Sequence, residues 1–582
     1  MAAVQRVPKK KPVHAAYVPS EERRQVYDGN QVDPTTGTDK SATDTIVPNQ
    51  AQSQLSHTHT KLKATKKLNK FIQPSCYRQL TSNQKLASKL ILATLCLVIL
   101  ASIAVFPPIV LLVINRTTPP PTTTSIYPCS SATCIGQKTS NLVTTAVILY
   151  PFDGNANDSN GRFNGVLYGA PTYVAQSYVG TSALNLNSAS SQYIQISGIK
   201  FEKQSFTLET WLFLSASSVV GAFGIFSHCD SNFVCLGISL INGRFILSFD
   251  SMNNNNKTLV GTRLVSIREW MHLTVMYDAT LYQQTVYVNG HIDAVSKGII
   301  LPYLGNSTNA ATNIGRSRSL STGVIYFQGR IDHFKVFIGI TRTVCQIFND
   351  ATLTAYYPFD SDSILNDSSV NRFNGVASNT TIISGGRHAH AISFTSSTSY
   401  FQAQAFPVIR NISNTNPPFT FSLWVNPTSY VGGGSLVHIS NLPSGAGFLC
   451  YDLLAFTLTG ALVVQYMETS FTVTSLQGPV LPINTWSHIA VIYSRSDGVR
   501  LLINGQIYVT SSPVTIPQYI ARWEVPLYIT LCNNSPLGPA GGVTCQSGSI
   551  AIASGSFIGA VDDFRLYNRE LNTQELCALV NI

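Results

Sequence analysis

Charge is scarce in this chain. Asp, Glu, Lys and Arg together make up 11% of its 582 residues, and only 28 of these are acidic. The charge is also unevenly placed. Residues 1–89 hold 15 Lys+Arg against 6 Asp+Glu, and residues 90–582 hold 23 against 22, so the formal net charge of +10 divides into +9 and +1. The basic excess describes a short tail, and a nucleic-acid-binding protein is not supported. Several chemical signatures are missing too: there is no glycine-rich phosphate loop, no zinc-spaced Cys/His cluster, no GxSxG and no ExDxxE pair of carboxylates on a strand. Nucleotide chemistry, zinc chemistry and a serine nucleophile elbow are thereby left without their usual residues.

In one place charge is absent altogether. Residues 90–114, LILATLCLVILASIAVFPPIVLLVI, run for 25 positions without a charged side chain. At about 1.5 Å per residue a helix of that length crosses a hydrocarbon core of roughly 30 Å. Pro107 and Pro108 come late in it, where a kink or an early exit is tolerated. Lys85 and Lys89 precede the run and only Arg116 follows it closely. The positive-inside rule then keeps the amino end in the cytoplasm, and the long preceding region does not suit a cleavable signal peptide. The expectation is a signal-anchor helix in the plasma membrane, with the carboxyl end extracellular. Residues 1–89 read as a disordered basic cytoplasmic tail. Residues 115–145 open with NRTTPPPTTTS and read as a Pro/Thr-rich stalk.

From about residue 146 the chain repeats itself. ILYPFDGNANDSNGRFNGV (148–166) returns as AYYPFDSDSILNDSSVNRFNGV (355–376), and QSFTLETWLF (204–213) as PPFTFSLWVN (417–426). REWMHLTVMYDATLYQQTVYVNGHI (268–292) returns as NTWSHIAVIYSRSDGVRLLINGQI (484–507), and FQGRIDHFKVF (327–337) as FIGAVDDFRLY (557–567). Four blocks in one order mean two copies of a domain, placed at 146–348 and 353–582 with almost no linker. The local signal within each copy is β. Phe206, Leu208, Thr210 and Leu212 alternate with Thr207, Glu209, Trp211 and Phe213, the two-residue period of a strand. Asn-Gly at 242–243, 289–290 and 504–505 lies between apolar runs and supplies the positive φ pair of a two-residue hairpin. The predicted fold class is all-β: two tandem antiparallel β-sandwiches, or jelly rolls, after one transmembrane helix and a disordered tail.

The ordered set YPFD…NDS…RFNG, FT(L/F)xxW, W-x-H-(L/I) leading to (V/I)NG, and G-x-(I/V)-D-x-F-(K/R)-(V/L)-(F/Y) resembles the laminin-G-like domain. That family belongs to the concanavalin A-like lectin/glucanase group, and the resemblance covers about three quarters of the chain. It implies a two-sheet jelly roll, often calcium-binding, used mostly to bind glycans or proteins. Some relatives are glycosidases, whose chemistry needs two facing carboxyl groups about 5–9.5 Å apart. Glu209 sits on a predicted strand, but its counterpart in the second copy is Ser422, and Asp278 likewise meets Ser494. The chain is therefore expected not to be an enzyme.

The carboxylates both copies share are Asp153/Asp360, Asp158/Asp367 and Asp332/Asp562. Short carboxylates near Asn157 and Asn366 suit a calcium ion; the competing role is to tie loops and a sheet edge by hydrogen bonds. Trp211, Trp424, Trp270 and Trp486 recur at matching places and are expected in the core. Nine cysteines follow the apolar run. Cys129/Cys134, Cys229/Cys235 and Cys532/Cys545 are near enough in sequence for local bridges, Cys345 and Cys577 take matching places, and Cys450 corresponds to Cys235. Their odd number leaves one thiol free or paired between chains in a disulfide-linked oligomer. Sequons begin at Asn157, Asn256, Asn306, Asn366, Asn379, Asn411 and Asn533. The functional expectation is extracellular recognition or adhesion through a glycan or protein ligand. The alternatives are a membrane-anchored glycan-processing enzyme and a structural surface or matrix component.

Overall fold

The computed structural model describes residues 134–136 and 147–581, except 251–256, 307–309, 320–322, 361–363, 405–416, 431–433, 448, 469–471, 516–526, 538–544 and 554. The tail, the apolar run 90–114, most of the stalk with Cys129, and the sequons at Asn256 and Asn411 lie outside the described residues. Among the described residues, no helix is long and apolar enough to cross a membrane.

Alternation builds the first sandwich. In the strand Phe206–Leu214, the side chains of Phe206, Leu208, Leu212 and Leu214 join one core. Thr207, Glu209 and Trp211 point to the opposite face, as a two-residue period requires. This strand pairs with Trp270–Asp278 on one side and Gly329–Ile338 on the other, both antiparallel. His291–Val295, Gln283–Val288, Ala183–Leu186, Thr172–Val174 and Val147–Tyr150 complete an eight-stranded sheet. A seven-stranded sheet lies across the core from it, with Ala222–Cys229, Cys235–Ile241 and Arg244–Asp250 as its central strands. Asn242 and Gly243, Asn289 and Gly290, and Asn504 and Gly505 all have positive φ, so the three Asn-Gly turns form as the sequence predicts. The second copy repeats the plan with sheets of eight and seven strands, Phe419–Ser429 standing for Phe206–Leu214 and Ile558–Tyr567 for Gly329–Ile338.

Two helices stand out among the described residues, and neither is anticipated by the strand pattern. Helix α1, Val344–Thr352, opens on a capping box in which Thr343 and Gln346 exchange hydrogen bonds with each other's backbone. Helix α2, Thr573–Asn581, is opened the same way by Asn572 and Glu575, each accepting from the other's N–H at 3.0 Å. Each helix follows the closing strand of its copy and folds back over the outer face of the eight-stranded sheet. In both copies one threonine fixes that return. Thr207 Oγ1 donates to the Ile340 carbonyl and accepts from Arg342 N, as Thr420 Oγ1 does with Arg569 and Leu571.

Helix α1 runs directly into the strand Leu353–Tyr357, so the copies meet without a linker. Asn568 N donates to Thr352 O at 3.0 Å, Asn568 Nδ2 donates to Ala351 O and to the Tyr178 hydroxyl, and the Arg569 guanidinium lies 4.6 Å from the Phe348 ring centre. Tyr178, Val179 and Trp211 of the first copy are continuous with the core of the second. The short turn Cys134–Gly136 also wedges in here. Ile135 is buried against Leu353, Leu571, Leu576 and Leu579, and Asn349 Nδ2 bonds to Cys134 O at 3.2 Å.

Candidate functional site

Glu209, a strand carboxylate without a counterpart in the second copy, is sealed under α1. Glu209 is fully buried, with Arg342 Nε 3.4 Å away. The same guanidinium holds Asp350 of α1 at 2.5 Å, and Lys335 Nζ lies 3.8 Å from Asp350. Burial and the neighbouring Asp350 push the Glu209 carboxyl up to about 8, against the pull of Arg342 and Lys335. Burial likewise pushes the Lys335 amine down. Lys335, Arg342, Asp350 and the Glu209 carboxyl share one closed space that binds a helix to a sheet. Sequence reasoning missed Lys335, Arg342 and Asp350; the T-x-x-Q spacing at 343–346 is the signal that could have announced the helix.

The shared tryptophans are structural. Trp211 and Trp424 are buried and packed edge-on to His272 and His488, with ring centres 4.9 and 5.2 Å apart. Tyr178 stacks on Trp211 at 3.5 Å, and Arg387 takes the matching place over Trp424 at 4.6 Å. Trp270 is half-buried, and Trp486 donates to Gly385 O at 3.2 Å.

The shared aspartates separate into two groups. Asp332 is buried, and its Oδ2 accepts from Tyr178 N and Val179 N, both at 2.8 Å. Asp153 accepts from Thr181 N and Ser182 N of the same loop through Oδ1. In the second copy Asp562 accepts from His388 N at 3.0 Å and from Asp563 N at 2.8 Å, while Asp360 takes His390 N at 3.3 Å. Burial pushes the Asp332 carboxyl well up and Asp562 to about 7. Asp158 and Asp367 do other work. Asp158 holds the N–H groups of Leu149, Asn160 and Arg162, and Asp367 those of Tyr356, Ser369 and Phe373. Both oxygens of each are committed to tying the opening strand to its loop. Among the described residues no group of three His, Cys, Asp or Glu side chains is set to hold a metal. What remains at each rim is a pair of aspartates gripping one loop, with Asp332 Oδ1 buried and without a hydrogen bond.

Cysteine pairing differs from the local scheme. Cys229 and Cys235 do bridge, being opposite one another in register. Cys134, however, pairs with Cys345, 211 residues on, and Cys450 with Cys545. The Cys545 segment lies alongside Cys450, where Gln546 N donates to Cys450 O at 2.9 Å, and this brings the two Cα atoms to 4.8 Å. Cys532 is left as a free, fully buried thiol whose burial pushes its pKa well up. Of the two alternatives for the odd cysteine, free or paired between chains, Cys532 takes the free one. Cys577 is itself disulfide-bonded. It stands five residues after its helix cap where Cys345 stands two after its own, so the two are about a turn out of register.

The sequon asparagines also divide. Asn157, Asn306, Asn366 and Asn379 are exposed. Asn533 is 3% exposed and spends Nδ2 on Ser397 O and Ser399 O at 3.1 and 3.2 Å. In the folded chain it has no amide free for a glycan.

A laminin-G profile, described as the concanavalin A-like lectin/glucanases superfamily, matches residues 188–347 and 395–577. Together these exceed half of the chain, and the protein belongs to that superfamily, in two copies. No curated protein matches it by sequence. Among solved structures it is similar to domains LG4-5 of the mouse laminin α1 chain, at 14% identity over 78% of this chain and 96% of that one, with a TM-score of 0.22. It is similar also to domain 4 of AbnA, a GH43 extracellular arabinanase from Geobacillus stearothermophilus solved with arabinotriose, at 16% identity over 39% and 98%, TM-score 0.26. The binding domain of botulinum neurotoxin serotype G is a further neighbour, at 12% identity over 71% and 97%, TM-score 0.30.

Proposed function

We propose that this is a single-pass type II protein of the plasma membrane, with its amino end cytoplasmic. On this reading the two laminin-G-like sandwiches form a non-catalytic extracellular module that recognises a glycan or protein ligand. One observation carries it: in each copy the sheet face bearing the shared Trp–His pair is covered by that copy's own helix. The opposite sheet and the loop rims are then the surface on offer, which suits display and recognition better than catalysis. The anchor rests on the uncharged run 90–114 and the lysine asymmetry around it. The reading assigns no step to calcium.

The test is a full-length chain tagged at both ends and expressed in cells. Protease added outside intact cells is expected to remove the carboxyl-terminal tag and spare the amino-terminal one. Protection of the carboxyl end overturns the topology. A glycan and matrix-protein array probed with the detergent-purified chain is expected to give saturable binding, and a blank array overturns recognition.

A further inference from the structure

Across the outer face of the first copy's seven-stranded sheet lies a hairpin of its own, Arg316–Ser319 paired with Gly323–Tyr326. Alternation decides what it shows to either side. Ser317 is 2% exposed and faces the sheet, over two glycines that leave it room; a Cβ on Gly224 would stand 2.3 Å from Ser317 N. Arg316 and Arg318, with their partners Tyr326 and Val324, therefore face outward. The Arg316 guanidinium lies 4.9 Å from the ring centre of Tyr193 and 5.9 Å from that of Tyr326. Tyr193 in turn stacks on Tyr168, with centroids 4.7 Å apart and planes 6° apart. At the other end Arg318 covers the Phe233 ring at 4.0 Å. The result is one stripe of rings and guanidinium groups.

Folding does not account for it. Tyr168 is 41% exposed and stands beside Val166 at 59% and Leu167 at 41%. Among the described residues neither Arg316 nor Arg318 has an acidic partner, although guanidinium groups elsewhere in the chain pair with Asp or Glu. Nor does the superfamily plan demand it, because the second copy is built without it. There Tyr400 matches Tyr193, but Ser378 stands opposite in place of Tyr168, and no two-stranded hairpin occurs among its described residues.

We infer that this stripe binds an acidic polysaccharide, one carrying carboxylate or sulfate groups. A guanidinium placed over an aromatic ring still offers its N–H groups as a two-pronged donor for such groups. The exposed Tyr168 face and the ring edges beside it take the apolar C–H faces of sugar rings. Two such guanidinium groups two residues apart on one strand, about 7 Å, suit charges repeated along a chain. An acidic peptide would satisfy the arginines but leaves the flat ring surface without a role. This inference deepens the recognition reading and rests on it.

The test uses the full chain in detergent, immobilised through an amino-terminal tag, with heparin as the sulfated probe and hyaluronan as the carboxylated one. Polyglutamate serves as the acidic peptide and dextran as the neutral glycan. Binding of heparin or hyaluronan, but not dextran, is expected. Arg316→Gln with Arg318→Gln should weaken it by about tenfold or more, the loss of at least one bidentate contact, with melting curves unchanged. Arg316→Lys with Arg318→Lys should not restore it, since a point charge lacks the fork. Tyr168→Ala should weaken binding severalfold without changing its salt dependence. Undiminished binding in the arginine and tyrosine variants, or full rescue by lysine, overturns the stripe. Polyglutamate competing as well as heparin overturns the glycan class. A chain that binds neutral glycans or proteins on the array but neither polyanion keeps the recognition reading and loses this one. The basic tail also attracts polyanions, so every variant is compared in the presence of a saturating antibody to the amino-terminal region and at a salt concentration at which polyglutamate no longer binds the tail.

Discussion

The two copies close the same sheet face with different chemistry, although the second keeps ionic groups there too, Arg569 paired with Glu575 of α2 at 2.7 Å and a buried Arg565. Under α1 the first copy buries Glu209, Lys335, Arg342 and Asp350. Under α2 the second places Leu571, Leu576 and Leu579 on Ala490, Ile492, Leu502 and Tyr567. The frame is common to both: the threonine that fixes each helix return, and the Asn289 or Asn504 side chain that accepts from the backbone of His272 or His488 at 2.8 Å. At the positions of Glu209 and Arg342 the second copy has Ser422 and Leu571. The fold therefore requires a lid but not a particular glue. An ionic lid is costly to break and inexpensive to replace whole, because desolvation has already consumed most of the Coulomb gain.

That contrast can be broken in the first copy. Arg342→Leu leaves Glu209 and Asp350 short of a cation and should cost about 3–5 kcal/mol. Adding Glu209→Ser, which moves the site toward the second copy's pattern, should recover part of that loss, since paired groups are not additive. Urea unfolding followed by tryptophan fluorescence reads both variants. A double variant as unstable as the sum of its singles would show that the four charges do not act as a unit.

A smaller effect sharpens the comparison at the rims. Asp562 keeps its proton up to about pH 7 in the folded chain, whereas its ordinary value is 3.8. Between those values the folded state holds a proton that the unfolded state has released. The aspartate's contribution is thus present at low pH and is lost as pH rises toward 7. Asp562→Asn, which keeps the acceptor oxygen but cannot ionise, should flatten the fall in melting temperature between about pH 4 and 7. An unchanged slope in that variant would place the titration elsewhere. Asp332 is pushed the same way by burial, so Asp332→Asn should likewise flatten the fall of stability with rising pH.

The smallest expected effect is none. Because Asp158 and Asp367 give both oxygens to backbone N–H groups, excess EGTA should leave the melting temperature where it is. A ligand at a hundredfold excess over its Kd contributes about 2.7 kcal/mol, so a clear drop in EGTA would return calcium to the rims.

Most of the sandwich was legible because strands advertise themselves twice, in alternation and in Asn-Gly turns, and because every block came in duplicate. The helices were not. Nine residues such as VCQIFNDAT carry too short a period to outvote their β surroundings, and only the caps at Thr343 and Asn572 betray them. The aspartates were legible as shared positions, which show that a residue matters and not what it touches. Asp158 belongs to its own loop and Asp332 to one more than 150 residues earlier. The disulfides were legible in part: Cys229 and Cys235 bridge as their proximity suggests, whereas proximity favoured Cys532 with Cys545 and the fold laid the Cys545 segment beside Cys450. The outward stripe of Arg316 and Arg318 carries no periodic signal and becomes visible only when the hairpin is seen lying on the sheet.

The bond between Cys134 and Cys345 also decides how the protein bears load. Val147–Tyr150 is zipped along Gly329–Ile338, and tension arriving from the amino-terminal side would peel such a pairing open one residue at a time. Because Cys134 precedes that strand and is welded to the start of α1, the pull is shunted past it into the junction of the two copies. Ile135 and its leucine neighbours share the stress there. A tether fastened at that point holds both sandwiches by their common seam, and neither needs to unravel for the other to stay attached.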